Sequence, residues 1–236
     1  VYLGVDAGHF NSTGIANTCI GFSAGYKFTL SNLTALGAYA AYNATTASYA
    51  TAFGYFASQA LTSAARTTAV GYNALFSNQT GNNNVGIGDV AGNTATGNNG
   101  TYIGSQAGYS VSTGTDNTII GNVTAPTLTT GSFNTVMGST ADVNSVSASY
   151  RTAIGAGSIG AQDNAIQLGR IGTDSVYCGK DLYTNDAVFS LRSSVTMTTS
   201  GTGSSTATLT NAPAAGNPTK WLPYDDNGVT RYIPSW

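Results

Sequence analysis

The residues able to do acid–base chemistry in this chain are few and scattered. All ten acidic residues are Asp, and His9 is the one histidine. Glycoside hydrolysis, the reaction that side chains of this type would most naturally serve, needs two carboxyl groups about 5–9.5 Å apart. The chain offers Asp6, Asp89, Asp116, Asp142 and Asp163 at unrelated spacings, and the adjacent Asp225-Asp226 would point to opposite faces of a strand. They read as turn and surface residues. His9 alone supports neither a catalytic relay nor a multi-histidine metal site. Cys19 and Cys178 read as buried or free thiols, not as a disulfide framework. Gly-rich stretches lack the Lys-Ser/Thr ending of a phosphate-binding loop. The chain therefore reads as a non-enzyme with no cofactor and no metal.

Aromatic residues offer a different chemistry, because they recur at fixed offsets from a repeating glycine. Tyr26, Tyr42, Phe76 and Tyr109 lie five residues after it; Phe22, Tyr55 and Tyr72 lie one after it. Rings stacked along a track, with Asn and Thr beside them, can hold sugar rings. They can equally pack on the next repeat or on a neighbouring subunit. Tyr26, Tyr42, Tyr55, Tyr72 and Tyr109 are the candidate glycan contacts.

The element that would position those rings is the repeat itself. A glycine preceded by a large apolar residue falls at Gly4, Gly21, Gly37, Gly54, Gly71, Gly88, Gly104, Gly121, Gly138 and Gly155, at steps of 16 or 17, and a shorter step reaches Gly169. Before it stand Leu3, Ile20, Leu36, Phe53, Val70, Ile87, Ile103, Ile120, Met137 and Ile154. Three before the glycine is usually Thr and three after it usually Ala, with an Asn/Thr/Gly turn about ten later. Such a unit is too short for a helix pair. It suits one coil of two short strands and two turns, stacked in parallel about 4.8 Å apart. Scarce helix formers and abundant Thr, Val, Ile, Gly and Asn agree with this.

The strand read this way is apolar or small on both faces. Thr and the large apolar residue share one face. The position between them, Cys19, Ala35, Ala69 and Ile119 among others, points the other way and never carries a charge. One face can fill the narrow interior; the other needs a partner surface along the whole stack, so assembly with sister copies is expected. An ice-binding array is set aside because Thr occurs once per strand and shares its face with the apolar residue read as buried.

Composition narrows the partners. Charged residues are 8% of 236, against roughly 25% in ordinary domains, and the net charge is −2. Nothing suggests binding to nucleic acid, and no apolar run reaches the ~18 residues of a membrane span. The chain begins at Val1, which reads as a fragment, a processed product or a chain incompletely identified at its start.

The stretches NTIIGNVTA, TTAVGYNALFSNQTGNNNVGIGDVAG and RTAIGAGSIGAQDNAIQLGR resemble the repeats of trimeric β-roll fibres, found in bacteriophage tail fibres and in the heads of trimeric autotransporter adhesins. The resemblance spans residues 1–170. It implies a homotrimer, an extracellular place on a virion tail or on a bacterial outer surface, a host glycan or protein receptor, and other tail or fibre proteins as neighbours. A fibre-borne polysaccharide depolymerase is the enzymatic alternative.

The expected fold is all-β: a β-roll of about ten coils over 1–169, a β transition segment over 170–195, a Thr/Ser/Gly/Pro-rich linker or wrapping strand over 196–220, and a hairpin over 221–236. The hairpin turns at Asn227-Gly228, a strong two-residue turn signal, which sets Leu222 opposite Ile233. This ending is similar to terminal segments of phage tail proteins and reads as a trimer clamp, or else as a receptor-binding tip. The autotransporter alternative calls for a heptad stalk, and residues 170–236 show no sustained heptads.

Overall fold

The structure, a computed structural model, describes residues 1–29, 31–175, 220–226 and 229–235. The chain divides into two units, Val1–Gly179 and Lys180–Trp236. Among the described residues there is no helix.

The first unit is a parallel β-solenoid. Its main sheet takes one short strand from each coil: β1 (Tyr2–Leu3), β2 (Thr18–Ile20), β3 (Leu33–Leu36), β4 (Ala50–Phe53), β5 (Thr68–Val70), β6 (Val85–Ile87), β7 (Thr101–Ile103), β8 (Thr118–Ile120), β9 (Thr135–Met137), β11 (Thr152–Ile154) and β13 (Ile166–Leu168). They follow one another in that order, all parallel. Repeat positions pair with themselves: Cys19 with Ala35, Ile20 with Leu36, Thr118 with Thr135, Ile120 with Met137. β-branched Thr, Val and Ile fit the pleat, and each strand stops at the glycine.

That glycine makes a corner no other residue can make. Along the row its φ lies between +120° and +139°. A Cβ on Gly121 would stand 2.6 Å from the carbonyl oxygen of Gly138, one coil on. Both the backbone conformation and the close approach exclude a side chain.

Beyond the corner the expected second strand is mostly missing. Residues two and four after the glycine take left-handed conformations: Ser23 and Gly25, Tyr39 and Ala41, Gln106 and Gly108. That interrupts an extended backbone, although amides there still bond across coils, as Gly25 N does to Ala40 O at 2.8 Å and Gly108 N to Thr124 O at 2.9 Å. Among the described residues a second strand survives only where β10 (Asp142–Val143) pairs in parallel with β12 (Ile159–Gly160). One strand per coil, not two, is the rule.

The interior is a set of stacked rows. The strand's middle position is fully buried from Cys19 through Ala52, Tyr102 and Ile119 to Ala153. The alanines three after the glycine form a second row (Ala24, Ala40, Ala57), and Phe28, Leu61, Val111 and Leu128 a third. Tyr102 is the outsized member. It fits because Gly92, Gly100 and Gly108 surround it; a Cβ on Gly92 would lie 2.5 Å from its ring.

In the second unit β14 (Lys220–Asp226) pairs antiparallel with β15 (Val229–Ser235), with Asp226 opposite Val229 and Leu222 opposite Ile233. Asn227 and Gly228, the expected turn, lie outside the described residues, as do the segments 176–219 that complete the transition and linker.

Candidate functional site

Among the described residues, nothing covers the outward face of the main sheet. The large apolar residues before the glycines point out, not in. Their row runs without a break through Leu3, Ile20, Leu36, Phe53, Val70, Ile87, Ile103, Ile120, Met137, Ile154 and Leu168, each paired with the next. Leu3 is 65% exposed, Phe53 53% and Ile87 38%. The Thr row beside it faces the same way. This corrects the reading of the large apolar residue as buried. The middle strand position fills the interior, with Cys19 and Ala35 in early coils and Tyr102, Ile119 and Val136 in later ones, and alternation turns its neighbours outward. The premise used against ice binding falls with it.

The candidate aromatics divide. Tyr26 and Tyr42 stack with ring centroids 4.9 Å apart and planes 2° from parallel; His9 stacks on Tyr26 at 5.1 Å. Tyr55 and Tyr72 are parallel at 5.9 Å. Tyr39 and Phe56 join the two pairs into one patch. Lys27 Nζ sits 5.6 Å from the Tyr42 ring centre. The stacks consume ring faces, so a sugar approaching Tyr26 or Tyr42 meets mostly edges and hydroxyls. Tyr72 ends its stack. Tyr109, 47% exposed, stacks on no ring among the described residues. A period shared with Tyr26 does not place it in the patch.

Of the five candidate carboxylates in the described coils, four have local partners of their own. Asp6 Oδ1 is 3.3 Å from His9 Nδ1. Asp116 accepts from Asn99 at 2.9 Å, and Asp142 from the Thr127 hydroxyl at 2.6 Å. Asp163 accepts from Arg151 Nε at 2.6 Å and from the Ser149 amide at 3.1 Å, and these two bonds, Arg151's first, hold its carboxyl below the usual range. No group of three metal-ligating side chains occurs among the described residues. Burial pushes the Cys19 thiol up to about 11, which leaves it protonated and unreactive. Burial also raises the Tyr102 hydroxyl, which finds no hydrogen-bond partner.

Sequence reasoning missed the inner polar ladder. Four residues before the glycine, buried Asn84, Asn117 and Asn134 point inward. Asn117 Nδ2 donates to Gly131 O at 2.9 Å, and its Oδ1 accepts from Asn134 N and Nδ2 at 3.0 Å each. Asn134 repeats this with Ala148 O and Arg151 N. Arg151, one step further, ends the ladder, its guanidinium reaching Asn144 Oδ1 at 2.5 Å and Gly160 O at 2.9 Å. The signal was present in the sequence as Asn recurring at one repeat position.

Comparisons with protein families, with curated proteins and with solved structures find no match for this chain.

Proposed function

We propose that the chain is a structural and adhesive segment of a homotrimeric phage tail fibre, or of a similar tail-like particle, which attaches the particle to its host's surface. The observation that carries the reading is the outward apolar row, eleven positions long and in register from β1 to β13. Burying apolar area is worth ~25 cal/mol per Å². Two sister copies related by a rotation about the stacking direction would cover every level of the row at once, which no compact partner does. The sequence resemblance supplies the number three. The protein acts as a rod, not as an enzyme: weak contacts on three identical flanks act together, so avidity exceeds single-site affinity. The place of action is extracellular, and the partners are a host glycan or protein receptor and neighbouring fibre proteins.

The test is immunogold electron microscopy of native particles with antibody to this chain. Labelling along tail fibres supports the reading. Labelling of the bacterial surface in the absence of phage moves the chain to the adhesin alternative.

One observation favours a second reading. The strand Thr residues face outward and repeat from coil to coil, broken by Val85, and ice-binding solenoids also present outward Thr, there as Thr-x-Thr arrays. Such a face must stay bare, and here the row beside it mixes Leu, Phe, Met, Val and Ile of unequal size. Thermal hysteresis from a folded single chain would establish that reading against the fibre.

A further inference from the structure

We propose that sister copies join edge to edge at zero stagger: the residue five before each anchor glycine on one copy seats against the residue one after that glycine on the next. The proposal rests on the trimer reading and specifies its contact. If three copies turn the apolar row toward a common axis, the two borders of that face must meet, one border of each copy against the other border of its neighbour. Those borders are the two positions named. A ring that closes after three steps must return each coil to its own level, which fixes the stagger at zero; a one-coil offset would give an open helix instead.

The residues at the borders fit that pairing level by level. Arg66 meets Tyr72, a cation over a ring. Each acid meets an amide, Asp89 against Asn83 and Asp116 against Asn122. Towards the last coils a large ring meets a small residue, Phe133 against Ser139 and Tyr150 against Ala156. No like charges face each other. Within the chain Asn83, Asn99 and Asp116 hydrogen-bond in a row along this border, at 3.0 and 2.9 Å, but its bulky residues have no such support. Tyr49, Phe133 and Tyr150 stand there in left-handed conformations, φ 58°, 60° and 56°, a region uncommon for bulky residues, where other coils place Asn32, Asn83 and Asn99. Tyr49 and Tyr150 are more than half exposed. Phe133 and Tyr150 stack at 4.8 Å, and beyond that the rings face outward. Arg66 forms no ion pair within the chain among the described residues.

Disulfide trapping in the full-length chain tests this. Within one coil the two border positions are six residues apart, on opposite sides of a three-residue strand that alone spans about 10 Å at ~3.3 Å per residue. A disulfide requires Cα atoms within about 7 Å, so it can form only between copies. In a Cys178→Ser background, Arg66→Cys with Tyr72→Cys should give a covalent trimer on oxidation, reversed by reductant. Phe133→Cys with Ser139→Cys should do the same and guards against local misfolding of the first pair. Arg66→Cys with Ser105→Cys, two coils off level, should stay uncrosslinked. A non-covalent trimer in which neither level pair closes would overturn the edge pairing and leave the trimer reading standing. Crosslinking of Arg66→Cys to Asp89→Cys but not to Tyr72→Cys would overturn zero stagger. A folded monomer in all variants and in the parent would remove both.

Discussion

The coils anchored by Gly4 to Gly71 and those anchored by Gly88 to Gly155 share one backbone and dress it in opposite ways. The first five carry the aromatic patch from His9 and Phe10 to Tyr72 and Phe76, ring on ring. The last five have Asp89, Ser105, Asn122 and Ser139 where Tyr55 and Tyr72 stood, and fix their interior through the Asn84–Asn117–Asn134 ladder. In the first five the same inner position is mostly apolar or small, with Leu33, Ala50 and Thr67. Corner glycines and inner rows are common to both, so they build the roll. The outer flank is free to differ, and where a free surface collects rings the fold has not demanded them.

The largest test of that division is the corner. Gly37→Ala and Gly121→Ala each place a Cβ 2.6 Å from a carbonyl of the next coil at φ +129° and +137°. Both should cost at least about 3 kcal/mol and lower Tm by roughly 6–12 °C, equally in the two halves. A loss in one half alone, read by calorimetry, would break the claim of a shared backbone. Next comes the inner ladder: Asn117→Ala strands Gly131 O and the Asn134 backbone N–H, and chemical denaturation should show a loss of about 2–3 kcal/mol. A loss below half a kcal/mol would mean the ladder is not what holds the last coils.

The aromatic half should respond more weakly. A double-mutant cycle on Tyr26→Ala and Tyr42→Ala should give a coupling of about 0.5–1.5 kcal/mol. Zero coupling would show rings that sit beside one another without support. Tyr102→Phe has the opposite sign: it removes a buried hydroxyl with no partner, and Tm should rise by an amount equivalent to about 1 kcal/mol.

The smallest effect is one of pH. Asp163 has its pKa lowered in the fold, so its contribution is present above the unfolded value near 3.9 and is lost as pH falls through the lower, folded value. Between those two values Tm of the parent should decline with falling pH faster than Tm of Asp163→Asn. Parallel profiles would show that the Arg151–Asp163 pair adds nothing to the end of the ladder.

Much of this fold was legible in the sequence because a period states register. Gly21, Gly37 and Gly54 had to stack if the beat meant anything, and the pairing of Ile20 with Leu36 and of Leu36 with Phe53 follows. The direction of each face was not legible. Alternation says that Ala35 and Leu36 part company; it does not say which of the two goes in, and the row of Ala35 holds Tyr102 and Ile119 as well. The missing second strand was hidden too, since Ser23, Tyr39 and Phe56 give no sign in sequence of a left-handed backbone. For the candidate glycan contacts, offsets from the glycine placed Tyr26 and Tyr42 in one row. They did not show that stacking hides the faces a sugar would use, or that Tyr109 stands alone.

The central claim is that the outward row from Leu3 to Leu168 is covered by two sister copies. Sedimentation equilibrium of the purified full-length chain tests it most directly. The account predicts a single species of three chains that persists on dilution to nanomolar protein. A lone subunit, cooperatively folded and with its apolar row in water, would contradict it.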